Sequence, residues 1–150
     1  MSDLMGIPEF ERFFREAASL DVDKNDLKRF SDFIHEKIAD MLIIAQARAN
    51  ANGRDVIDEP DLPITKGLQE RIHEYRKLGQ SVDVGPFLGR MATWPQLDLA
   101  VSEDVRDELP NVAGGLGLAL AESFKILDTK LKNPSTEHWE RAFGLFDLVL

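Results

Sequence analysis

The residues most able to do chemistry in this 150-residue chain are its three histidines. His35-Glu36 and His73-Glu74 begin like zinc-protease motifs, which a second histidine four residues on must complete. Positions 39 and 77 hold Ala39 and Lys77 instead, so neither motif closes. His138 stands beside Trp139 and Glu140 with no second histidine at ligand spacing, which predicts a structural or solvated role. The chain has no cysteine, which removes disulfides, thiolate zinc sites, iron–sulfur clusters and thiol nucleophiles together. No GxSxG elbow supplies an activated serine. Gly114, Gly115 and Gly117 lack the preceding strand and the GK[ST] ending that a phosphate-cradling loop requires. Acidic pairs such as Asp58/Glu59 and Asp104/Asp107 fall at predicted helix starts, where capping and the helix dipole already account for them. Arg54 and Asp61 have the types of a ligand pair, but their loop setting favours a loop-to-helix fastener. The expectation is a protein that is not an enzyme and carries no metal or cofactor.

The elements that must position these residues follow from composition and period. With 43% apolar and 30% charged residues, 7 prolines and 10 glycines, the composition is that of an ordinary globular chain. At this length a chain buries roughly two thirds of its unfolded surface, enough for one core, so residues 1–150 are expected to form a single compact domain. The start of the chain carries acid where a leader carries base, and no apolar run reaches the roughly 20 residues of a membrane span, so a cytoplasmic protein is expected. A formal charge of −9 repels phosphate backbones at long range.

Ile7, Phe10, Phe13, Phe14, Ala17 and Ala18 recur at three and four, which predicts a short helix with Pro8 in its first turn. Asp23 is the expected cap of a long helix from Lys24 to Ala51, which contains neither glycine nor proline. Its apolar positions wrap the cylinder near Ile38, Met41, Leu42, Ile43, Ile44 and Ala45, so another element must cover it there. Asn52-Gly53 stops it, Val56-Ile57 reads as a short extended element, and a third helix is expected from about Pro60 to Leu78.

The order then repeats. A short apolar helix is expected over residues 83–92, and a strand over Leu97, Leu99 and Val101. Ser102 should cap a second long helix from about Glu103 to Leu131, with Pro110 bending its first two turns or dividing it. Asn133-Pro134-Ser135 introduces a final helix with Trp139, Phe143 and Phe146. A long helix of this kind cannot bury a two-sided middle alone. The glycines Gly114, Gly115 and Gly117 are expected to let the second long helix cross the first closely, opposite Ile38, Met41, Leu42 and Ala45.

Short helix, long central helix and short helix, joined by two extended loops, is an order that resembles the histone fold. The segment from Gly53 to Leu62 is similar to the histone second loop, in which an arginine at the loop start pairs with an aspartate seven residues on. Arg54 and Asp61 occupy those two positions. The second half resembles the fold through its helix lengths and its strand, and its loop from Lys132 to Thr136 lacks the arginine. As a whole the chain resembles the prokaryotic proteins with two histone folds in tandem. The resemblance implies an all-α internal pseudodimer, with repeat one at 1–79 and repeat two at 80–150, monomeric as a chain.

It also implies that the first loop of each repeat lies beside the second loop of the other, and that these two ends meet DNA phosphates. At one end, residues 20–29 and 128–137, Lys24, Lys28, Arg29, Lys130 and Lys132 balance five carboxylates. At the other, residues 53–61 and 97–106, carboxylates exceed arginines by five. Archaeal-type histones follow the loop arginine with a lysine and a threonine, where this chain has Asp55-Val56. The implied DNA contact therefore shifts to the neutral end. A protein-interaction module without nucleic acid is the alternative.

Overall fold

The helix boundaries follow local chemistry, and the computed structural model describes them over residues 5–78 and 97–150. Helix α1 spans Ile7–Ala18 with proline in its first turn and ends at Ser19, whose φ of 54° is left-handed. The Ser19 N–H closes the helix on the Arg15 carbonyl at 2.9 Å. Helix α2 spans Asp26–Ala51 and begins two residues later than the expected Lys24. The delay comes from a tight turn, in which Asp23 Oδ1 accepts from the Asn25 N–H and Asp26 Oδ2 accepts from the Asp23 N–H, both at 3.0 Å. Gly53, at φ 70°, reverses the chain after α2.

Strand β1 is Val56–Ile57, followed by a single 3-10 turn over Glu59–Asp61 and helix α3 over Lys66–Leu78. The expected third helix is thus split. Pro63 forces the residue before it out of helical conformation, and Leu62 is extended at φ −67°, ψ 130°. Strand β2 is only Ala100–Val101. The expected strand is shorter because Gln46 Oε1 accepts from both the Asp98 and Leu99 N–H groups, at 2.6 and 2.9 Å, and so occupies donors a ladder would use. Helix α4 runs Glu103–Leu127, capped by Ser102 accepting from the Val105 N–H, and stays one helix through Pro110 rather than dividing there. Helix α5 spans Thr136–Val149. The expected helix over residues 83–92 lies outside the described residues.

Among the described residues the protein is all-α apart from one parallel pair, β1 beside β2, with Val56 opposite Ala100 and Ile57 opposite Val101. Its core is aromatic where α1, α2, α4 and α5 meet. Phe14 lies edge-on to Phe30 at 5.3 Å and beside Trp139 at 5.8 Å, and Trp139 meets Phe124 at 4.9 Å. Phe33 of α2 stacks on Phe143 of α5 at 4.8 Å. Ile38, Met41, Leu42 and Ala45 are all buried, as the two-sided pattern requires, but Ile43 and Ile44 stay 44% and 41% exposed. The middle of α2 is therefore covered on part of its circumference only.

The glycines of α4 have a different neighbour from the one their position suggests. A Cβ on Gly114 would collide with the Tyr75 ring, and one on Gly115 would lie 2.5 Å from Ile72 Cγ1 and 3.0 Å from the Ile72 backbone nitrogen. A Cβ on Gly117 would crowd Phe13 and Phe30. The close approach at Gly114 and Gly115 is made by α3, and at Gly117 by Phe13 of α1 and Phe30 of α2. Tyr75 and Ile72 are both buried there. Because Ile72 backbone cannot retreat, Gly115→Val should overpack this contact and cost about 1–3 kcal/mol. Gly67, in the first turn of α3, has open space where a Cβ would go, so Gly67→Ala should stabilise by about 0.5–1 kcal/mol. Thermal or urea unfolding of the two variants should move in opposite directions.

Candidate functional site

Each end of the molecule is assembled by a few hydrogen bonds between distant stretches. At the first, Asp61 is the hub. Its Oδ2 accepts from Arg54 Nη1 at 2.7 Å and from the Asp58 N–H at 2.9 Å, while Oδ1 takes the second Arg54 nitrogen. The Asp58 carboxylate reciprocates by capping the turn at Glu59 N and accepts from the Ser102 hydroxyl at 3.1 Å. The Ser102 N–H donates to the Ile57 carbonyl at 2.9 Å. Two carboxylates thereby tie this end together: buried Asp61 holds the loop after α2 to the turn that precedes α3, and Asp58 links that turn to the cap of α4. The paired guanidinium holds the Asp61 carboxyl below the ordinary carboxylate range. Around this hub Asp55, Glu59, Asp98, Glu103 and Asp104 are exposed, so the excess of acid faces solvent.

At the second end the Asp21 N–H donates to the Lys132 carbonyl at 2.7 Å, and Arg29 Nη2 donates to Thr136 Oγ1 at 3.3 Å. These bonds bring Lys24, Lys28, Arg29, Lys130 and Lys132 to one place. Lys28 pairs with Asp32 at 2.7 Å and Arg29 leans on Asp26 at 3.8 Å. Lys24, Lys130 and Lys132 are exposed and form no ion pair among the described residues. Asp26 is almost buried, and that burial pushes its carboxyl above the usual value. No arginine clamp stands here. Instead Ser135 caps α5, accepting from the His138 N–H at 3.4 Å, while His138 Nδ1 accepts from the Ser135 N–H at 3.0 Å. The third histidine is thus a capping-box partner, a role that the serine three residues before it signals.

A hollow of about 880 Å³ lies along α3 between Leu62 and Arg76 and opens widely to solvent. Its guanidinium groups are already engaged. Arg71 pairs with Glu74 and Glu122 at 2.9 and 3.2 Å, and Arg76 pairs with Glu108 at 2.7 Å. Glu122 is raised above its ordinary value by burial against α3, a coupling between α3 and α4 that the sequence pattern does not reveal. Among the described residues no three His, Asp or Glu side chains converge as metal ligands, and no helix is long and apolar enough to cross a membrane.

Comparison with known proteins places this geometry in company. The family model described as Domain of unknown function (DUF1931) matches residues 10–147. An "Uncharacterized protein" of Aquifex aeolicus (strain VF5) is 31% identical over 144 residues, covering 96% of this chain and 84% of that protein. Among solved structures, ttk003001566 from Thermus thermophilus superimposes with a TM-score of 0.92 at 55% identity, over 98% of this chain and 99% of that one. Protein AQ328 from Aquifex aeolicus does so with 0.79 at 28% identity, over 100% and 99%.

The Asp61 hub has a pH signature. A carboxyl lowered in the fold contributes stability above its unfolded pKa of about 3.9 and loses it as pH falls through the lower folded value. Asp61→Asn should therefore melt at a lower temperature than the parent at neutral pH, with the gap narrowing below about pH 4. Melting curves across that range give the test, and a gap that stays constant in acid would show that the charge is not what holds the loop.

Proposed function

This chain belongs to the DUF1931 family, and from that premise we propose a non-catalytic, cytoplasmic, histone-like protein with two histone folds paired internally, which touches DNA phosphates through its neutral end. Support for the internal pairing comes from two long helices each followed by a shorter one, the Arg54–Asp61 clamp in the first loop, and the side-by-side loops at both ends. The observation that carries the DNA reading is the Asp21–Lys132 hydrogen bond, since it gathers cations from two remote stretches onto one surface. Exposed Lys24, Lys130 and Lys132 are free to meet phosphate, and Arg29 would exchange a loose contact with Asp26 and its hydrogen bond to Thr136. The opposite end keeps its five excess carboxylates outward and repels the duplex, which orients the protein on it and argues against wrapping around both ends.

A second reading, a protein-interaction module with no nucleic-acid role, draws on the acidic end, where Val56 is 39% exposed among the carboxylates. The two readings separate in one titration. Fluorescence anisotropy with labelled duplex DNA over a salt series should give binding at about 50 mM salt, with log K falling against log salt at a slope of about −3 to −5 for three to five phosphate contacts. Lys130→Gln and Lys132→Gln should each reduce that slope by about one and weaken binding equally across sequences. Absence of binding near 50 mM salt by the folded chain removes the DNA reading and leaves the protein-partner one.

A further inference from the structure

The capping box that opens α5 departs from the ordinary pattern at one residue. Such a box carries Glu or Gln three places after the cap, where the side chain accepts from the cap residue's own N–H. Here the position is filled by His138, whose Nδ1 accepts from the Ser135 N–H at 3.0 Å and lies 2.9 Å from the Ser135 hydroxyl. A glutamine would accept that bond at every pH. An imidazole nitrogen accepts only while it has no proton, and histidine is the side chain that changes charge between about pH 5 and 8. The box therefore contains a titratable member, and it stands at the end of the molecule that gathers Lys24, Arg29, Lys130 and Lys132.

With Nδ1 accepting, the neutral ring keeps its hydrogen on Nε2, which lies 4.0 Å from Asp128 Oδ2. Asp128 accepts from the Lys130 N–H through its other oxygen, at 3.1 Å, so the ring borders the loop that carries Lys130 and Lys132. A proton added at Nδ1 has two effects. It ends acceptance from the Ser135 N–H and lets the ring donate to the Ser135 hydroxyl instead. It also makes the ring a cation beside Asp128, and it moves this end, where five cations balance five carboxylates over residues 20–29 and 128–137, from zero to one positive charge. Around the ring, Glu137 pairs with Arg141 on α5 at 2.7 Å, and Arg29 of α2 is shared between Thr136 and Asp26. Asp26, raised by its burial, is a second group here that gains a proton on acidification.

We propose, on the footing of the DNA reading, that His138 is a proton-linked contact of this end: the ring takes up one proton from solvent as duplex phosphate arrives, and affinity for DNA rises as the pH falls. Phosphate favours the charged ring, and by linkage the charged ring favours phosphate to the same extent. The exchange is between the cap bond from the Ser135 N–H, made by the uncharged ring, and one further phosphate contact beside Lys130. The other two histidines stand apart from this exchange, His73 on the exposed side of α3 and His35 within α2.

Fluorescence anisotropy of the full chain with one labelled duplex, at about pH 8 and about pH 6 over a salt series, reads the linkage. At about 50 mM salt the parent should bind about three- to tenfold tighter at the lower pH, and its salt slope should steepen by about one, as one further phosphate contact requires. His138→Gln keeps the capping box without the titration. It should match the parent at the higher pH and lose both changes at the lower. His138→Glu also keeps the box but fixes a negative charge there, and it should bind more weakly than His138→Gln at both pH values. His73→Gln should respond to pH as the parent does. A parent that binds with the same affinity and salt slope at both pH values, or a response that His138→Gln retains or His73→Gln abolishes, overturns the proton linkage and leaves the DNA reading standing. Absence of binding at both pH values removes the DNA reading and the linkage with it.

Discussion

Helices α3 and α4 approach each other closely at two glycines, and much else depends on it. Two glycines, Gly114 and Gly115, strip the α4 surface so that Tyr75 and the Ile72 backbone can lie against it. Interiors are close-packed, so the approach leaves no latitude in where α3 lies. The direction of α3 is set a few residues earlier, where the Arg54–Asp61 pair and the 3-10 turn launch it. Because Asp58 also receives the Ser102 hydroxyl, the same knot places the cap of α4 and brings β2 beside β1. Clamp, turn, glycine seat and strand pair thus act as one constraint linking the two halves of the chain.

Charge is distributed with the same economy. Groups taken out of water carry partners: Asp61 has Arg54 and the Asp58 N–H, and Lys37 has Asp147. Removing either member of such a pair strands a buried charge, which costs more than the pair contributes when intact. On the surface, by contrast, the two ends differ strongly. Five net negative charges at the β1–β2 end and none at the Asp21–Lys132 end give the molecule an electrostatic polarity that its overall charge of −9 conceals.

Several parts were legible from residue order because their physics is local. Ser102 read as a cap and Gly53 as a stop from local chemistry, and Arg54 with Asp61 as a fastener from the resemblance of the loop that holds them. Other features depend on residues far apart in the chain. Gln46 shortens β2 by bonding Asp98 and Leu99 across more than fifty positions, and no window of sequence contains both partners. Pro63 sits in plain view, yet whether it opens a helix or breaks one depends on how the turn at Glu59–Asp61 closes. The glycines of α4 were recognisable as a close-packing site, but the helix that uses them was not, because Ile72 and Tyr75 and the Ile38–Ala45 face are equally apolar.

The sequence by itself determined that the chain is helical, where most helices begin and end, which faces are oily, and that thiol chemistry is absent. Periodicity and capping act over one or two turns, so they are written where they act. The tertiary structure alone decided which oily face meets which, that Ile43, Ile44, Leu145 and Leu148 stay in water, and that lysines from residues 24–28 and 130–132 share one end. Those outcomes rest on the volume available when distant helices meet, and a hydrophobic pattern specifies that a face must be covered without specifying by what.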